Sequence, residues 1–380
     1  MLQPPETELL LLCARPQLDN SAVSRILSLL QQKLDWRLIF WLAENHRTIP
    51  LLAYHLHRHA SELLANDIQT EIQNHHRNST QHNMVLAFEV LRIIDLFSAE
   101  GIDVIPFKGP VSAMLIYGDM AKRACGDIDL LVKQSDHHKG EQLLESEGYA
   151  VKIRYQDAMQ SSLQHEQRRI SVDLHWGMPP ETLQLDSARL WENLKPISLL
   201  GRPVLTFSSC DTLLVAAINV VKEFWGASLH HLSDITTLTS SYTNDDWMEA
   251  FQRAREIGCL RILIAAILFN HRMLESPLPS VGPTQLFSHQ GINNVVDELQ
   301  DQLFLKLNNQ AMETAIKPIH HRDLRSYYST ITDSLWQRNC SWIKWVVMPN
   351  AADRTFITLP RSLSFLYFII RPLRLLKKFL

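Results

Sequence analysis

Two aspartates one residue apart, Asp127 and Asp129, stand in Gly126-Asp127-Ile128-Asp129-Leu130-Leu131-Val132. In an extended strand, residues two apart share a face, so both carboxylates project together while Ile128 and Leu130 turn toward a core. Carboxylates held that close repel unless a cation sits between them. A divalent ion that bridges them to a phosphate-bearing substrate meets this need, because hard cations take carboxylate oxygens. The plainer alternative is a surface turn of acids ahead of a strand. Asp173, in Ile170-Ser171-Val172-Asp173-Leu174-His175-Trp176, is a single acid in an apolar run. Burying it costs free energy unless it is paired or holds a metal. An ion pair with Arg168 or Arg169 is its structural alternative.

Nucleotidyl transfer needs such a pair of carboxylates, a third one on a neighbouring strand, and a glycine at a helix N-terminus to admit phosphates. Gly109, in Phe107-Lys108-Gly109-Pro110, stands at a strand-to-helix turn where backbone N–H groups face outward. Lys108 suits a phosphate contact or plain solvation. Arg123 suits either the triphosphate or the task of holding the loop before Asp127. His175 and Trp176 read as packing or supporting groups. His55, His59, His75, His76 and His82 lack any metal-ligand spacing and read as helix-surface residues. Lys222, Glu223 and Asp234 fall on helices that would cap the pocket, with surface or ion-pair roles as the default.

Elements able to position these groups follow from period and punctuation. Residues 1–100 read as helical, with Ser21 and Asp35 as caps, a helix opening at Pro50, and a long one over Asn83 to Ala99 closed by Gly101. Strands are expected at Val104–Phe107, Ile128–Val132, Val151–Tyr155, Leu163–Glu166 and Ile170–His175, with an edge at Pro203–Phe207. Helices are expected at Pro110–Tyr117 and His138–Glu147. From Ser209 the chain returns to helix, with Asp211 as a cap, then Leu229–Thr239, Trp247–Ile257, Leu260–Leu274 and Val295–Leu307; Ser276 to Gly291 reads as a loop. The fold class is therefore α+β: a small mixed sheet at 101–208 between a helical region at 1–100 and another at 209–380.

The 380 residues are 46% apolar and 20% charged, ordinary for a globular chain, and the net charge of −3 gives no reason to expect nucleic acid. Five scattered cysteines without a C-x-x-C pair suit reduced thiols in a cytoplasm. No signal-like N-terminus and no membrane-length apolar run is visible. Residues 361–380 mix Arg361, Arg371, Arg374, Lys377 and Lys378 with large apolar side chains and no acid. That tail is read either as a docked last helix or as a peripheral contact with a membrane or a protein.

Lys108-Gly109, Tyr117, Arg123, the Gly126–Val132 block and Val172-Asp173-Leu174-His175-Trp176 together resemble the bacterial uncharacterised nucleotidyltransferases of the DNA polymerase beta-like superfamily. The likeness runs more loosely through Asp211–Asp234 and the tail. It implies a nucleotidyltransferase fold with Mg²⁺ (Mn²⁺ as the alternative ion) and an NTP, ATP included, as substrate. It implies Asp127, Asp129 and Asp173 as catalytic metal ligands and Lys108, Gly109 and Arg123 at the nucleotide. The chain departs from the superfamily at Pro110, where a residue with an N–H is usual, and at Asn219, near which relatives often carry histidine. The expected reaction moves an NMP group from the NTP to a hydroxyl on a small molecule, sugar or protein. Two rivals are a metal-dependent glycosyltransferase built on the Asp-x-Asp pair and an inactive fold kept as a scaffold.

Overall fold

The strands carrying the acids lie at the middle of a five-stranded sheet of order β1-β2-β5-β4-β3. The strands are β1 (Val104–Pro106), β2 (Ile128–Val132), β3 (Tyr149–Tyr155), β4 (Gln160–His165) and β5 (Ile170–His175). β2 and β5 run parallel, and every other pairing is antiparallel. A hairpin of β6 (Leu194–Leu199) and β7 (Arg202–Phe207) stands apart from the sheet; its turn, Leu200-Gly201, has positive φ at both residues, as a tight hairpin requires. The computed structural model describes residues 4–155, 159–177, 187–222, 228–308, 330–333, 347, 353, 357 and 361–379.

Helices α1 (Pro5–Cys13), α2 (Asn20–Leu30), α3 (Trp36–Asn45), α4 (Ile49–Ala60) and α5 (Asn66–Ala99) fill the N-terminal region. Asp19, not Ser21, caps α2: its carboxylate accepts from Ala22 N–H at 2.7 Å and also holds the Ser21 hydroxyl. Asp35 caps α3 as expected. α5 reaches 34 residues, because its polar first half docks on α4 with little apolar periodicity to betray it. His55 departs from the surface reading. It is 2% exposed, and its Nε2 donates to the Arg15 carbonyl at 2.7 Å.

α6 (Pro110–Tyr117) and α7 (His137–Ser146) flank the sheet. After it come α8 (Ser209–Lys222), α9 (Leu229–Thr239), α10 (Asn244–Ile257), α11 (Leu260–Leu274), α12 (Gln290–Asn308) and α13 (Tyr367–Phe379). The Ser208 hydroxyl accepts from the Asp211 N–H at 3.1 Å, so Ser208 is the cap of α8 and Asp211 belongs to its first turn. Glu223, Phe224 and Cys340 lie outside the described residues, as do the side chains of Lys222, Arg361, Lys377 and Lys378.

One core gathers α1–α4 with α8–α12, and the other gathers α5 and α7 with one face of the sheet. Ile128, Leu130, Val132, Val172 and Leu174 belong to the second core, against Phe97 and Leu144. The period of two then turns Asp129, Leu131, Asp173 and His175 the other way, toward the first. In the tail, Arg371 and Arg374 both bond the buried Asp353 (3.0 and 2.6 Å), while Phe368, Ile369 and Leu373 stay exposed. Among the described residues no helix is long and apolar enough to cross a membrane. Cys13, Cys125, Cys210 and Cys259 are free and buried.

Candidate active site

Parallel pairing sets Asp129 directly opposite Asp173, and Leu131 opposite His175. Asp127 precedes β2 by one residue and lines the same pocket as the other two acids. All three predicted carboxylates therefore meet in one concavity of about 270 Å³, together with Lys108, Gly109 and Arg123. A larger concavity of about 990 Å³ between α4 and α5 contains a single acid, Asp119, whose carboxylate caps the Ala121 N–H. The three predicted acids gather only in the smaller one.

Each acid is held differently. Asp129 is 4% exposed; its Oδ1 accepts from Lys108 Nζ at 2.9 Å and from His175 Nε2 at 3.1 Å. Burial raises its pKa, but the Lys108 charge and the His175 hydrogen bond prevail and hold it well below the usual carboxylate range. Among the described residues Asp127 has no such bond. Burial first, and then the Asp129 charge, push it up to about 6 against the weaker pull of Lys108 and Arg47. Asp173 accepts from Ser162 Oγ at 2.5 Å and from Gln160 Nε2 at 3.0 Å, so the alternative of an ion pair with Arg168 or Arg169 is not used. Arg168 bonds Glu89 instead, at 3.0 Å.

His175 is the group the sequence reading undervalued. It is buried and stacks edge-on against Phe107 at 5.2 Å. Burial keeps it below its ordinary pKa despite Asp129, and with Nε2 donating, its buried Nδ1 has no partner. Donor atoms of Asp129, Asp173 and His175 lie within 4.8 Å of one another, a set of two carboxylates and an imidazole that fits a divalent cation. Asp127, whose pKa burial and the Asp129 charge push up, adds a carboxylate to the same pocket. The pattern that shows this is Asp173-x-His175, which repeats the two-residue step of Asp127-x-Asp129.

Gly109 carries φ +58 and ψ −134, a region only glycine occupies readily, and a Cβ there would lie 2.8 Å from the Asp127 carbonyl oxygen. The strand-to-helix turn can pass over Asp127 only without a side chain. Arg123 forks onto Asp234, with Nε at 3.1 and 3.0 Å and Nη2 at 3.0 Å, and Tyr117 donates to the same carboxylate at 3.0 Å. Burial pushes Asp234 up while Arg123 opposes it. The trio ties α6, the loop before Asp127 and α9 together. Trp176 stacks on His137 at 4.0 Å.

Opposite the acids, α8 contributes Thr212, Val215, Ala216 and Asn219, and α9 contributes His230 and His231. The N-terminal region adds Arg47, which no motif marks. Ser162 and Gln160 were equally hidden, although their period-two placement on β4 aims both at Asp173.

Residues 32–275 match the profile of a family described as "Uncharacterised nucleotidyltransferase". None of the curated proteins matches the chain. Among solved structures, the lincomycin-bound lincosamide antibiotic adenylyltransferase LnuA superposes with a TM-score of 0.31 at 21% identity, covering 40% of this chain and 96% of that one. An antigenic nucleotidyltransferase-like protein from Paracoccidioides brasiliensis gives 0.32 at 13% identity, covering 56% and 98%. Likeness at this level bears on neither substrate nor acceptor.

Proposed function

Because the chain belongs to the uncharacterised nucleotidyltransferase family, we propose that it transfers an NMP group from an NTP to a hydroxyl acceptor with release of pyrophosphate. The observation that carries this reading is the cross-strand pairing of Asp129 with Asp173, with Asp127 at the same pocket mouth. In this reading residues 101–208 are the transfer core, and 1–100 and 209–380 are the helical regions that wall it.

Asp127, Asp129 and Asp173 would hold Mg²⁺ (or Mn²⁺), with the His175 ring beside them. Bound there, such an ion would supply charge neutralisation to the carboxylates and phosphates and polarisation to the α-phosphate. Lys108 and His175 fix the rotamer of Asp129, so its carboxylate is oriented before substrate arrives. Gly109 brings the start of α6 close to the phosphates; Pro110 brings no N–H, so the first-turn N–H groups of Val111 and Ser112, with side chains, carry that contact. In this reading Asp173 also takes the acceptor proton. The acceptor oxygen then bonds the α-phosphorus, the bond from that phosphorus to its bridging oxygen breaks, and pyrophosphate leaves.

Calorimetric titration of ATP, GTP, CTP and UTP, with and without Mg²⁺, tests this on the wild type and on Asp129→Asn. Metal-dependent binding that the variant loses supports the reading and identifies the base. No binding of any NTP by the wild type overturns it.

A further inference from the structure

Three cations line the pocket of the acids: Lys108, Arg123 and Arg47. Lys108 bonds Asp129, and Arg123 forks onto Asp234. Among the described residues the Arg47 guanidinium makes no ion pair or hydrogen bond. It nevertheless has a defined place. A Cβ at Gly126 would come 3.4 Å from Arg47 Nη2, so the guanidinium lies over the residue just before Asp127.

The backbone at Arg47 is also unusual. Thr48 N–H donates to the Ala43 carbonyl at 2.8 Å and Arg47 N–H to that of Glu44 at 3.0 Å, closing α3 in a Schellman turn. The left-handed residue of that turn is usually glycine, yet Arg47 occupies it at φ +53. An arginine kept where its own Cβ is unfavourable points to work done by its side chain. The turn is clamped in place, because the His46 carbonyl accepts from Ser228 Oγ at 2.9 Å and His230 N–H at 3.2 Å. Arg47 is thus aimed at the pocket by a rigid junction between the N-terminal helices and α9.

We infer that Arg47 binds the β- and γ-phosphates of the nucleotide, as a cation the N-terminal helical region supplies to the transfer core. This rests on the nucleotidyl-transfer reading. In that reading the α-phosphate sits by Asp129 and Asp173, and the phosphates beyond it extend toward the Asp127 end, where Arg47 lies. A planar guanidinium with no carboxylate on it suits two phosphate oxygens better than an ammonium would.

Arg47→Gly separates this role from a structural one, since glycine relieves the left-handed backbone and removes the charge together. The wild type, Arg47→Gly and Asp129→Asn are titrated in Mg²⁺ with the NTP that the wild type binds and with its monophosphate. The expected result is an Arg47→Gly melting temperature at or above the wild type, NTP affinity weaker by about 10- to 100-fold, and monophosphate affinity changed by less than about 3-fold. Equal NTP affinity in Arg47→Gly, an equal loss for both ligands, or a lower melting temperature overturns the inference while the wild-type and Asp129→Asn titrations still uphold the reading beneath it. A wild type that binds no NTP overturns both.

Discussion

The ammonium of Lys108 lies 2.9 Å from Oδ1 of Asp129, a carboxylate only 4% exposed. Lys108→Met removes the charge and leaves a buried carboxylate without its cation, which costs about 3 kcal/mol. In the proposed reading Mg²⁺ would supply positive charge to the same cluster. Melting temperature in chelator should therefore fall in the variant, and millimolar Mg²⁺ should raise it by more than it raises the wild type. An equal Mg²⁺ effect on both proteins would detach the ion from Asp129.

Gly109 and Gly118 both have positive φ, yet only Gly109 is crowded, with the Asp127 carbonyl 2.8 Å from any Cβ. Gly118→Ala meets open space and should cost about 1 kcal/mol, the ordinary penalty for a left-handed residue. Gly109→Ala should cost about 3 kcal/mol or more, and nucleotide binding should fall with it as Asp127 is displaced. Comparison of the two by urea denaturation decides; equal costs would refute the close approach.

Asp234 and Tyr117 share one buried network with Arg123 but carry different burdens. Asp234→Asn leaves the Arg123 charge buried and unmatched, at about 3–5 kcal/mol, whereas Tyr117→Phe deletes one hydrogen bond at about 1 kcal/mol. Thermal melts of both variants should rank them in that order. The reverse order would mean that Arg123 finds another counter-charge.

Burial, against the hydrogen bond to the Arg15 carbonyl and helped by the His59, Lys122 and Arg58 charges, holds His55 at about 4, below its ordinary 6.5. Above pH 6.5 the imidazole is neutral in both folded and unfolded chains and contributes no slope. Between 6.5 and 4 the unfolded chain takes a proton that the folded chain refuses, so stability falls with pH, by about 1.4 kcal/mol per pH unit. His46, held down mainly by burial, behaves alike; Asp127, held up at about 6, runs the other way. The stability difference between wild type and His55→Gln isolates one group. It should shift toward the variant as pH drops from 7 to 4.5, and a flat difference would show that His55 is not buried as a neutral ring.

Legibility from sequence followed the strength of local punctuation. Pro110, Gly118 and the apolar Ile128–Val132 run mark their elements sharply, and the strand Ile170–His175 falls where its period places it. The first half of α5 and the strand β6 did not announce themselves. The former is polar and the latter largely solvent-facing, so neither shows an apolar period, and tertiary docking decides both. The three acids were legible because two carboxylates one residue apart before an apolar run, and a single acid inside another, are costly unless something compensates them. Arg47 was not, since its meaning comes from a turn geometry that side-chain identity would ordinarily assign to glycine. His175 was half legible, its step from Asp173 visible but its bond to Asp129 dependent on strand order.

Thr7 Oγ1 reaches the Leu307 carbonyl at 3.5 Å, across 300 residues, and the core of α1–α4 is completed only by α8–α12. On the ribosome, the apolar faces of α1–α4 wait for helices made about 200 residues later, roughly 10–40 s at ordinary elongation rates. The sheet face that packs on α7 and on the second half of α5, by contrast, has its partners once β7 emerges. Ribosome-bound chains halted after residue 240 should show residues 86–207 protected from protease and residues 4–60 cleaved; uniform protection would contradict this order. The middle of the chain is thus born ahead of its beginning, and the pocket closes last, when the late helices fold back to join the early ones.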